Sequence, residues 1–250
     1  MTETAQALPT LTGVAARGHI DYWRQLDVFN PEKFATPIHI IGVGASGSWI
    51  AYILAKMGIR SITAWDHDSV EVHNLPNQIF GLEEIGMPKV LALQRILARD
   101  CGTEVTLRQE KADGSQPLSG IVFLCVDSMK SRKEIWDSAL KFNPNVNLVV
   151  ETRLGAEFCL VHTIRPLYPS DVRGFENTLH GDEEAEAPAC TYRAISTMVS
   201  VVAGIAAHKV IKWANAIETK QVVKLAEGEE HESNAMLCIR PVLATSAAWQ

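Results

Sequence analysis

One stretch decides the fold of this chain: Pro37-Ile-His-Ile-Ile-Gly-Val-Gly-Ala-Ser-Gly-Ser-Trp-Ile50. Its apolar first half is typical of a buried strand, and three glycines follow in the spacing Gly-x-Gly-x-x-Gly before a helix begins. Gly42 permits a tight turn, Gly44 lets the backbone approach a phosphate, and Gly47 lets the helix pack closely on the strand. Because the first amides of a helix lack internal partners, they favour an anion. The stretch predicts a phosphate-binding turn, although glycines also mark turns that bind nothing.

The overall composition limits the classes of function. The chain has 250 residues, of which 47% are hydrophobic and 21% are charged, and its formal net charge is −6. This length suits one large α/β domain. The acidic balance argues against nucleic acid as a partner, since a nucleic-acid footprint needs a basic stripe. No membrane partner is expected either, because no apolar run reaches the length of a span and the first thirty residues lack the pattern of a signal peptide.

The cysteines indicate the redox environment. Their number is odd, their spacing is wide, and no Cys-x-x-Cys pair occurs, so a disulfide framework and a four-cysteine zinc site are both disfavoured. The pattern predicts a reduced, cytoplasmic protein. The five cysteines are Cys101, Cys125, Cys159, Cys190 and Cys238.

The order of the predicted elements indicates a doubly wound α/β fold. Strands and helices succeed one another as β-α-β-α-β-β-α-β, which is typical of a Rossmann-like, mostly parallel sheet. The predicted strands cover 38–41, 61–66, 104–108, 121–126 and 147–151, and the predicted helices cover 46–57, 88–99 and 131–140.

After residue 151 the pattern changes and predicts a C-terminal antiparallel extension. Residues 166–190 are expected to form a long acidic loop. The helix over 194–216 is apolar around most of its girth, which predicts burial in the core or in an oligomer interface. Further strands are expected over 157–164, 222–225 and 235–239.

A dense polar run after the second strand indicates which nucleotide the turn binds. Asp66 stands nineteen residues past Gly47, where an acidic residue takes the ribose hydroxyls in dinucleotide folds. Lys89 and Asn74 can bind phosphate oxygens. Asp127, at the end of a central strand, can hold Mg²⁺ between phosphates, since hard oxygen ligands suit this ion. A nucleoside triphosphate needs such a lysine and metal-binding carboxylate, whereas a nicotinamide dinucleotide does not.

Together these motifs resemble the ThiF/MoeB/HesA family, whose fold ubiquitin-activating enzymes also use. Beside the glycine turn, the chain shows Asp66-His-Asp68-Ser-Val70, Asn74-Leu-Pro-Asn77-Gln78, Gly86-Met-Pro-Lys89 and Val126-Asp127. Upstream, Tyr22-Trp-Arg24-Gln25 resembles the family's Tyr-x-Arg-Gln. Downstream, Pro188-Ala-Cys190 resembles the family's Pro-x-Cys before its last helix. The resemblance covers residues 20–216.

The resemblance implies an adenylyltransferase that uses MgATP to activate the C-terminal carboxylate of a ubiquitin-like or sulfur-carrier protein. It implies a homodimer in which Arg24 reaches the partner's ATP site. Lys89 would also bind phosphates, Asp127 would hold magnesium, and Cys190 would accept the acyl group as a thiol. Carboxylates near Cys190 oppose thiolate formation, so a purely structural role for it stays open. The residues expected to bind the nucleotide are Gly42, Gly44, Gly47, Asp66, Asp68, Asn74, Asn77, Gln78 and Lys89.

The domain organisation follows from the same resemblance. Residues 1–18 are expected to form a flexible tail, and residues 19–250 a single adenylation domain. Within that domain, about 37–150 would bind ATP and about 151–250 would bind the substrate and form the dimer.

Two departures from the family pattern keep other functions open. The family's Arg-Gln pair is Asn77-Gln78 here, so a cation near the transferring phosphates is missing. The paired Cys-x-x-Cys zinc site of many relatives is also absent. One alternative is a related enzyme that acts on a small carboxylate or a modified tRNA. The other is a catalytically weak nucleotide-binding scaffold, and a nicotinamide dehydrogenase ranks third.

Overall fold

The strands of the computed structural model, which describes residues 20–155, 158–180, 195–218 and 234–238, form one seven-stranded sheet. They are β1 (Ile38–Ile41), β2 (Ile62–Trp65), β3 (Thr106–Arg108), β4 (Gly120–Leu124), β5 (Val146–Leu154), β6 (Phe158–Ile164) and β7 (Asn234–Cys238). Their order is β3-β2-β1-β4-β5-β6-β7. The first five strands pair in parallel, and β6 and β7 extend the sheet in antiparallel fashion. The predicted fold class is confirmed.

In the described part of the chain, five α-helices accompany the sheet, and α3 continues directly into a π-helical turn over Trp136–Leu140. The helices are α1 (Ala45–Lys56), α2 (Lys89–Cys101), α3 (Met129–Ile135), α4 (Pro169–Glu176) and α5 (Ser196–Glu218). When the π-helical turn is counted with α3, the helices and strands that the sequence predicts within the described residues begin and end within three residues of these bounds.

Alternate residues of the central strands point to two separate apolar layers, as the period of a strand requires. Ile38 and Ile40 of β1 join the layer that includes α1, α2 and α5, whereas Ile41 joins the layer that includes the π-helical turn and α4. Helices therefore cover both faces of the sheet, the arrangement of a doubly wound fold. None of the described helices has the length and apolarity needed to cross a membrane.

Helix α5 is buried along one face only. That face packs on α1, β5 and β6. Its buried residues are Met198, Val199, Val202, Ala203, Ala206, Ala207 and Val210. The opposite face exposes Ser200, Gly204, His208 and Lys212. The expected burial in the core is confirmed for the first face.

The prediction of an acidic loop over 166–190 is wrong at its start, because α4 occupies Pro169–Glu176. Pro169 suits the first helical position, where its missing N–H costs no hydrogen bond. Val172 and Phe175, one turn apart, are buried against the second apolar layer. The predicted tail over 1–18 and the predicted strand over 222–225 lie outside the described residues, as do Cys190 and most of the acidic segment.

Candidate active site

The glycine turn joins β1 to α1, and its three glycines differ in what they require. Gly42 has a φ of +90°, and a Cβ there would lie 2.7 Å from the carbonyl oxygen of Cys125. A Cβ on Gly47 would collide with the carbonyl oxygen of Gly42. The fold therefore demands glycine at both positions. At Gly44, by contrast, a Cβ would meet nothing within 4 Å, so packing within the chain leaves space for a ligand to approach the backbone there.

The start of α1 is open to an anion. The first internal hydrogen bond of the helix runs from the Ser48 N–H to the Gly44 carbonyl oxygen, at 3.0 Å. The amides of Ala45, Ser46 and Gly47 precede that bond. No side chain caps this end among the described residues. Free amides and the positive end of the helix dipole together favour a phosphate group.

Asp66 ties the glycine turn to the polar run that follows β2. Its carboxylate is buried. Oδ2 accepts a hydrogen bond from the Val43 N–H at 2.7 Å, and Oδ1 accepts one from the Asp68 N–H at 2.8 Å. Each oxygen keeps a further lone pair that a ribose hydroxyl could use. The structure therefore places this predicted residue directly beside the turn.

Lys89, the first residue of α2, has a nearly buried side chain that is paired with Asp68. Its Nζ lies 2.9 Å from Asp68 Oδ2, and its N–H donates to the Asp68 carbonyl oxygen at 2.9 Å. Partial burial opposes ionisation of Asp68, but the hydrogen bond and the charge of Lys89 outweigh it and lower the pKa of that carboxyl. Asp66, His67 and Asp68 also bring potential metal-ligand atoms within 4.8 Å of one another.

The segment after this pair is folded tightly on itself. Asn74 is buried, and its Oδ1 accepts a hydrogen bond from the Glu71 N–H at 2.9 Å. This bond caps the short 3₁₀ turn Val72–Asn74 and leaves the side-chain nitrogen of Asn74 for a ligand. The Gln78 N–H donates to the Asn74 carbonyl oxygen at 3.0 Å. Gln78 Oε1 is buried without a hydrogen-bond partner in the described part of the chain. Asn77 is half-buried beside it.

Asp127 lies in the exposed turn between β4 and α3. Within the described ranges, its carboxylate has no hydrogen bond or ion pair. Ser128, the next residue, begins α3 by accepting a hydrogen bond from the Ser131 N–H at 3.1 Å. The Ser128 side chain therefore caps α3, while the Asp127 carboxylate stays available.

These residues meet where the strand order reverses. β1 lies between β2 and β4. The chain adds β2 and β3 on one side of β1, and it adds β4 and β5 on the other side. Gly42, Asp66 and Asp127 follow the carboxyl ends of these three neighbouring strands. The crevice at such a reversal is the usual ligand site of an open α/β sheet. The structure thus brings together most of the predicted residues.

Arg24 is the predicted residue that lies elsewhere. Its 3₁₀ turn, Trp23–Gln25, packs on the last residues of α1, where Gln25 Nε2 donates to the Met57 carbonyl oxygen at 2.7 Å. The glycine turn is at the other end of α1, and twelve helical residues span about 18 Å. Arg24 is exposed, with its guanidinium 5.3 Å from the Trp23 ring centre. Within one chain it is far from the glycine turn.

A buried charge cluster beside the Asp127 turn escapes the sequence prediction. Glu151 is fully buried and contacts Arg132 and Arg153. The signal that could have revealed it is a glutamate inside an apolar strand, since a buried carboxylate needs a cationic partner. Which arginines serve as partners is not visible in the local pattern.

The described cysteines with described side chains are unsuited to nucleophilic chemistry. Cys101 and Cys159 are buried, and burial raises the pKa of both thiols. Burial raises the pKa of Cys125, at the end of β4, to about 11. Because the thiolate is the reactive form, these three cysteines are not activated.

A model of the ThiF family matches residues 32–240 of this chain. Among characterised relatives, the sulfur carrier protein ThiS adenylyltransferase of Escherichia coli (strain K12) is 27% identical over 188 residues, and the match covers 72% of each protein. The ubiquitin-like modifier-activating enzyme 5 of Oryza sativa subsp. japonica is 27% identical over 115 residues. That match covers 38% of this chain but only 27% of the rice protein.

Solved structures show the same fold. PaaA superposes with a TM-score of 0.62 at 18% identity, over 88% of this chain and 70% of that one. The Escherichia coli tRNA N6-threonylcarbamoyladenosine dehydratase TcdA, solved in complex with AMP, gives a TM-score of 0.59 at 17% identity. Its match covers 78% of this chain and 91% of TcdA. At these identities the likeness concerns the fold alone.

Proposed function

We propose that this chain uses MgATP to activate the C-terminal carboxylate of a ubiquitin-like or sulfur-carrier protein. The premise of the proposal is that the chain belongs to the ThiF family and is an adenylyltransferase. One observation carries the proposal. The open glycine turn, the buried Asp66 and an Asp127 carboxylate that has no partner among the described residues follow three neighbouring strand ends. The buried ammonium of Lys89 lies beside Asp68, in the polar run after β2.

The reaction joins a carboxylate to the α-phosphate of ATP. A carboxylate oxygen of the carrier attacks the α-phosphorus, and a new O–P bond forms. The bond from the α-phosphorus to the bridging oxygen breaks, and pyrophosphate leaves with that electron pair. The attacking carboxylate is already ionised at neutral pH, so no general base is needed. The protein's task is to position two anions and to neutralise their charge.

The residues of the crevice suit that task. The free amides at the start of α1 would bind phosphate oxygens, and Asp66 would accept hydrogen bonds from the ribose hydroxyls. The Lys89 ammonium, held against Asp68 in this structure, would neutralise phosphate charge. The side-chain nitrogen of Asn74 and the amide of Gln78 would line the site near the phosphates.

Magnesium fits the same crevice. Asp127 offers an exposed carboxylate without a competing partner among the described residues, and Asp66 and Asp68 follow β2, which β1 separates from β4 in the sheet. Hard carboxylate oxygens of this kind, with phosphate oxygens, are the ligands that Mg²⁺ prefers. When bound, the ion would neutralise charge on the phosphates, and Asp127 would be its main protein ligand.

The position of Arg24 supports a homodimer. Arg24 lies at the end of α1 away from the glycine turn, so a phosphate role requires the turn of a second copy. Large apolar side chains surround Arg24 on the surface and would suit an interface. They are Ile20, Trp23, Leu26 and Val28, each at least 42% exposed.

Exchange of labelled pyrophosphate into ATP tests the proposal. A panel of carrier proteins with C-terminal glycines is offered to the wild-type chain and to Asp127→Ala. At least one carrier should support exchange with the wild type, and Asp127→Ala should lose it while keeping its melting temperature. Tight MgATP binding without exchange on any carrier would instead favour a scaffold, the reading that Asn77 motivates.

A second candidate is a related enzyme that acts on tRNA. The match to nearly the whole length of TcdA favours this alternative, whereas the net charge of −6 opposes it. Exchange that depends on added tRNA and needs no carrier protein would support it. RNase treatment, with untreated tRNA as the control, would then abolish the exchange.

A further inference from the structure

Thr152 links the two loops of the proposed nucleotide site. It lies near the end of β5 and is 3% exposed. Its hydroxyl shares a hydrogen bond of 2.9 Å with Ser46 Oγ, in the first turn of α1. The same hydroxyl lies 3.6 Å from Cys125 Sγ, just after β4. One side chain therefore connects the helix of the glycine turn with the strand end that leads into Asp127.

Arg132 extends this link to the Asp127 turn itself. Its Nη2 donates to the Thr152 carbonyl oxygen at 3.3 Å and to the Val126 carbonyl oxygen at 2.7 Å. Val126 is the residue immediately before Asp127. Because a guanidinium is planar and its donors are fixed relative to one another, it holds the two carbonyl groups in a defined relation.

Glu151 and Arg153 fix the guanidinium of Arg132. Glu151 Oε1 lies 2.5 Å from Arg132 Nε and accepts a hydrogen bond from Arg153 Nε at 2.9 Å. The remaining nitrogens of Arg153 donate to the carbonyl oxygen and to Oγ1 of Thr178, at 2.8 and 2.9 Å. Arg153 uses all three of its guanidinium nitrogens in these hydrogen bonds, and Arg132 Nη2 serves two carbonyl oxygens, so the cluster supports the turn.

We propose that Thr152 and Arg132 are positioning residues that set the Asp127 carboxylate against the glycine turn. The inference rests on the proposed function, and it assigns to the buried cluster a role in the geometry of the metal ligand. Neither residue is assigned a contact with the reacting atoms: Thr152 contacts Ser46 and Cys125, and Arg132 contacts the Val126 carbonyl oxygen. The two loops follow neighbouring strands that the sheet already joins, and the link adds a side-chain connection beyond the strand ends.

Loss of the link should lower the affinity for the metal ion more than the affinity for the nucleotide. Mg²⁺ demands nearly ideal octahedral geometry, so a displaced carboxylate binds it poorly. Loss of groups that orient a metal ligand typically costs about 10- to 100-fold in metal affinity or activity. Nucleotide binding without a divalent ion depends on the glycine turn and should change little.

The test uses Thr152→Val, which removes the hydroxyl and keeps the branched shape, and Thr152→Ser, which keeps the hydroxyl. Mn²⁺ serves as the metal probe, and its affinity for the protein–ATP complex is measured by electron paramagnetic resonance. Thr152→Val should weaken Mn²⁺ binding about tenfold or more, and Thr152→Ser should restore it to within about threefold. The metal-free ATP dissociation constant should stay within about twofold in both variants. Thr103→Val is the matched control, because Thr103 is equally buried but lies beside the amino end of β3.

A second variant guards against misfolding of the first. Ser46→Ala removes the other end of the same hydrogen bond, and a double variant with Thr152→Val should lose no more Mn²⁺ affinity than either single variant. Additive losses, or a lower melting temperature with unchanged Mn²⁺ affinity, would overturn the inference. Failure of the wild type to bind ATP would overturn the proposed function as well, whereas unchanged Mn²⁺ affinity in an ATP-binding Thr152→Val would overturn the inference alone.

Discussion

Lys89 Nζ lies 2.9 Å from Asp68 Oδ2, so the main cation of the proposed phosphate site is held by a carboxylate within the same chain. The two partners differ in exposure. The Lys89 side chain is 9% exposed, whereas that of Asp68 is 52% exposed. Asp68 can therefore turn to solvent at little cost, while Lys89 stays beside the glycine turn. In the proposed reaction, a phosphate group would replace the Asp68 carboxylate as the partner of the Lys89 ammonium.

Replacement of Lys89 by Met should separate activity from stability. The methionine fills a similar volume, and Asp68 is exposed enough to remain solvated alone, so the free energy of unfolding should change by less than about 1 kcal/mol. Loss of the cation should lower kcat/KM for pyrophosphate exchange by about 100-fold or more. Urea unfolding and exchange kinetics measure the two effects. Lys89→Arg, which keeps the charge, is the control, and equal activity of Lys89→Met and wild type would refute the phosphate role.

The Lys89–Asp68 pair should also give a defined pH dependence. The folded pKa of Asp68 is lowered below 3.8, so the stability that the pair contributes is complete above that value and is lost as the pH falls through the folded pKa. The difference in unfolding free energy between wild type and Asp68→Asn should be constant above about pH 5 and should shrink below about pH 4. Because Asp68 is half exposed, the difference should stay under about 1 kcal/mol. A difference that grows on acidification would contradict the pairing.

The glycine turn offers a matched pair of alanine variants. Gly47→Ala places a methyl group against the Gly42 carbonyl oxygen and should cost about 3 kcal/mol of unfolding free energy or prevent folding. Gly44→Ala meets nothing within 4 Å and should change that free energy by less than about 1 kcal/mol. It should nevertheless weaken ATP binding, because the proposal has the phosphates approach the backbone at this position and an added methyl group would keep them away. Urea unfolding and ATP titration check both outcomes, and unchanged ATP affinity in Gly44→Ala would argue against phosphate at this turn.

Mixing two inactive variants tests whether Arg24 acts across the dimer. Arg24→Ala and Asp127→Ala homodimers should each lose pyrophosphate exchange. In a mixed dimer, the Arg24→Ala subunit keeps Asp127 and receives Arg24 from its partner, so one of the two sites is intact. Random mixing should then restore roughly a quarter of the wild-type activity. Each variant alone at the same total concentration is the control, and no recovery despite proven subunit exchange would exclude this arrangement.

The thiols of Cys125 and Cys190 should differ in their reactivity. With a pKa of about 11, Cys125 should be ionised in only about one molecule in 3,000 at pH 7.5, and it should resist iodoacetamide in the native protein.

Cys190→Ser should still form adenylate but should yield no thioester with the carrier. Cys159→Ala, which removes a buried thiol whose pKa is raised by burial, should keep both steps. A thioester that persists in Cys190→Ser would assign Cys190 a structural role.

The parts of the fold that are predictable from sequence are those set by local geometry. The positive φ of Gly42 and the close approach of Gly47 restrict both positions to glycine. The six residues over 42–47 are therefore enough to predict the turn from the sequence. Helix α4 is less visible, because only Val172 and Phe175 mark its buried face and Gly174 interrupts it. A short helix with two apolar positions carries too little periodicity to be distinguished from a loop.

The candidate site divides in the same way. Asp66, Lys89 and Asp127 can be found from spacing, since each stands at the end of a strand or the start of a helix. The connection from Arg132 to Glu151 and Thr152 joins residues about twenty positions apart, and no periodic pattern encodes it. The displacement of Arg24 from the glycine turn likewise depends on how the 3₁₀ turn packs on the end of α1.

The double hydrogen bonding of Asp66 changes how its role must be examined. A substitution there would release the Val43 amide as well as any ribose, and the glycine turn would loosen with it. Modified nucleotides separate the loss of the ribose contact from the loosening of the turn. 2′-deoxy-ATP and 3′-deoxy-ATP each lack one hydroxyl, while the protein stays unchanged. A loss of affinity for these analogues in the wild type would identify the sugar contact from the ligand's side.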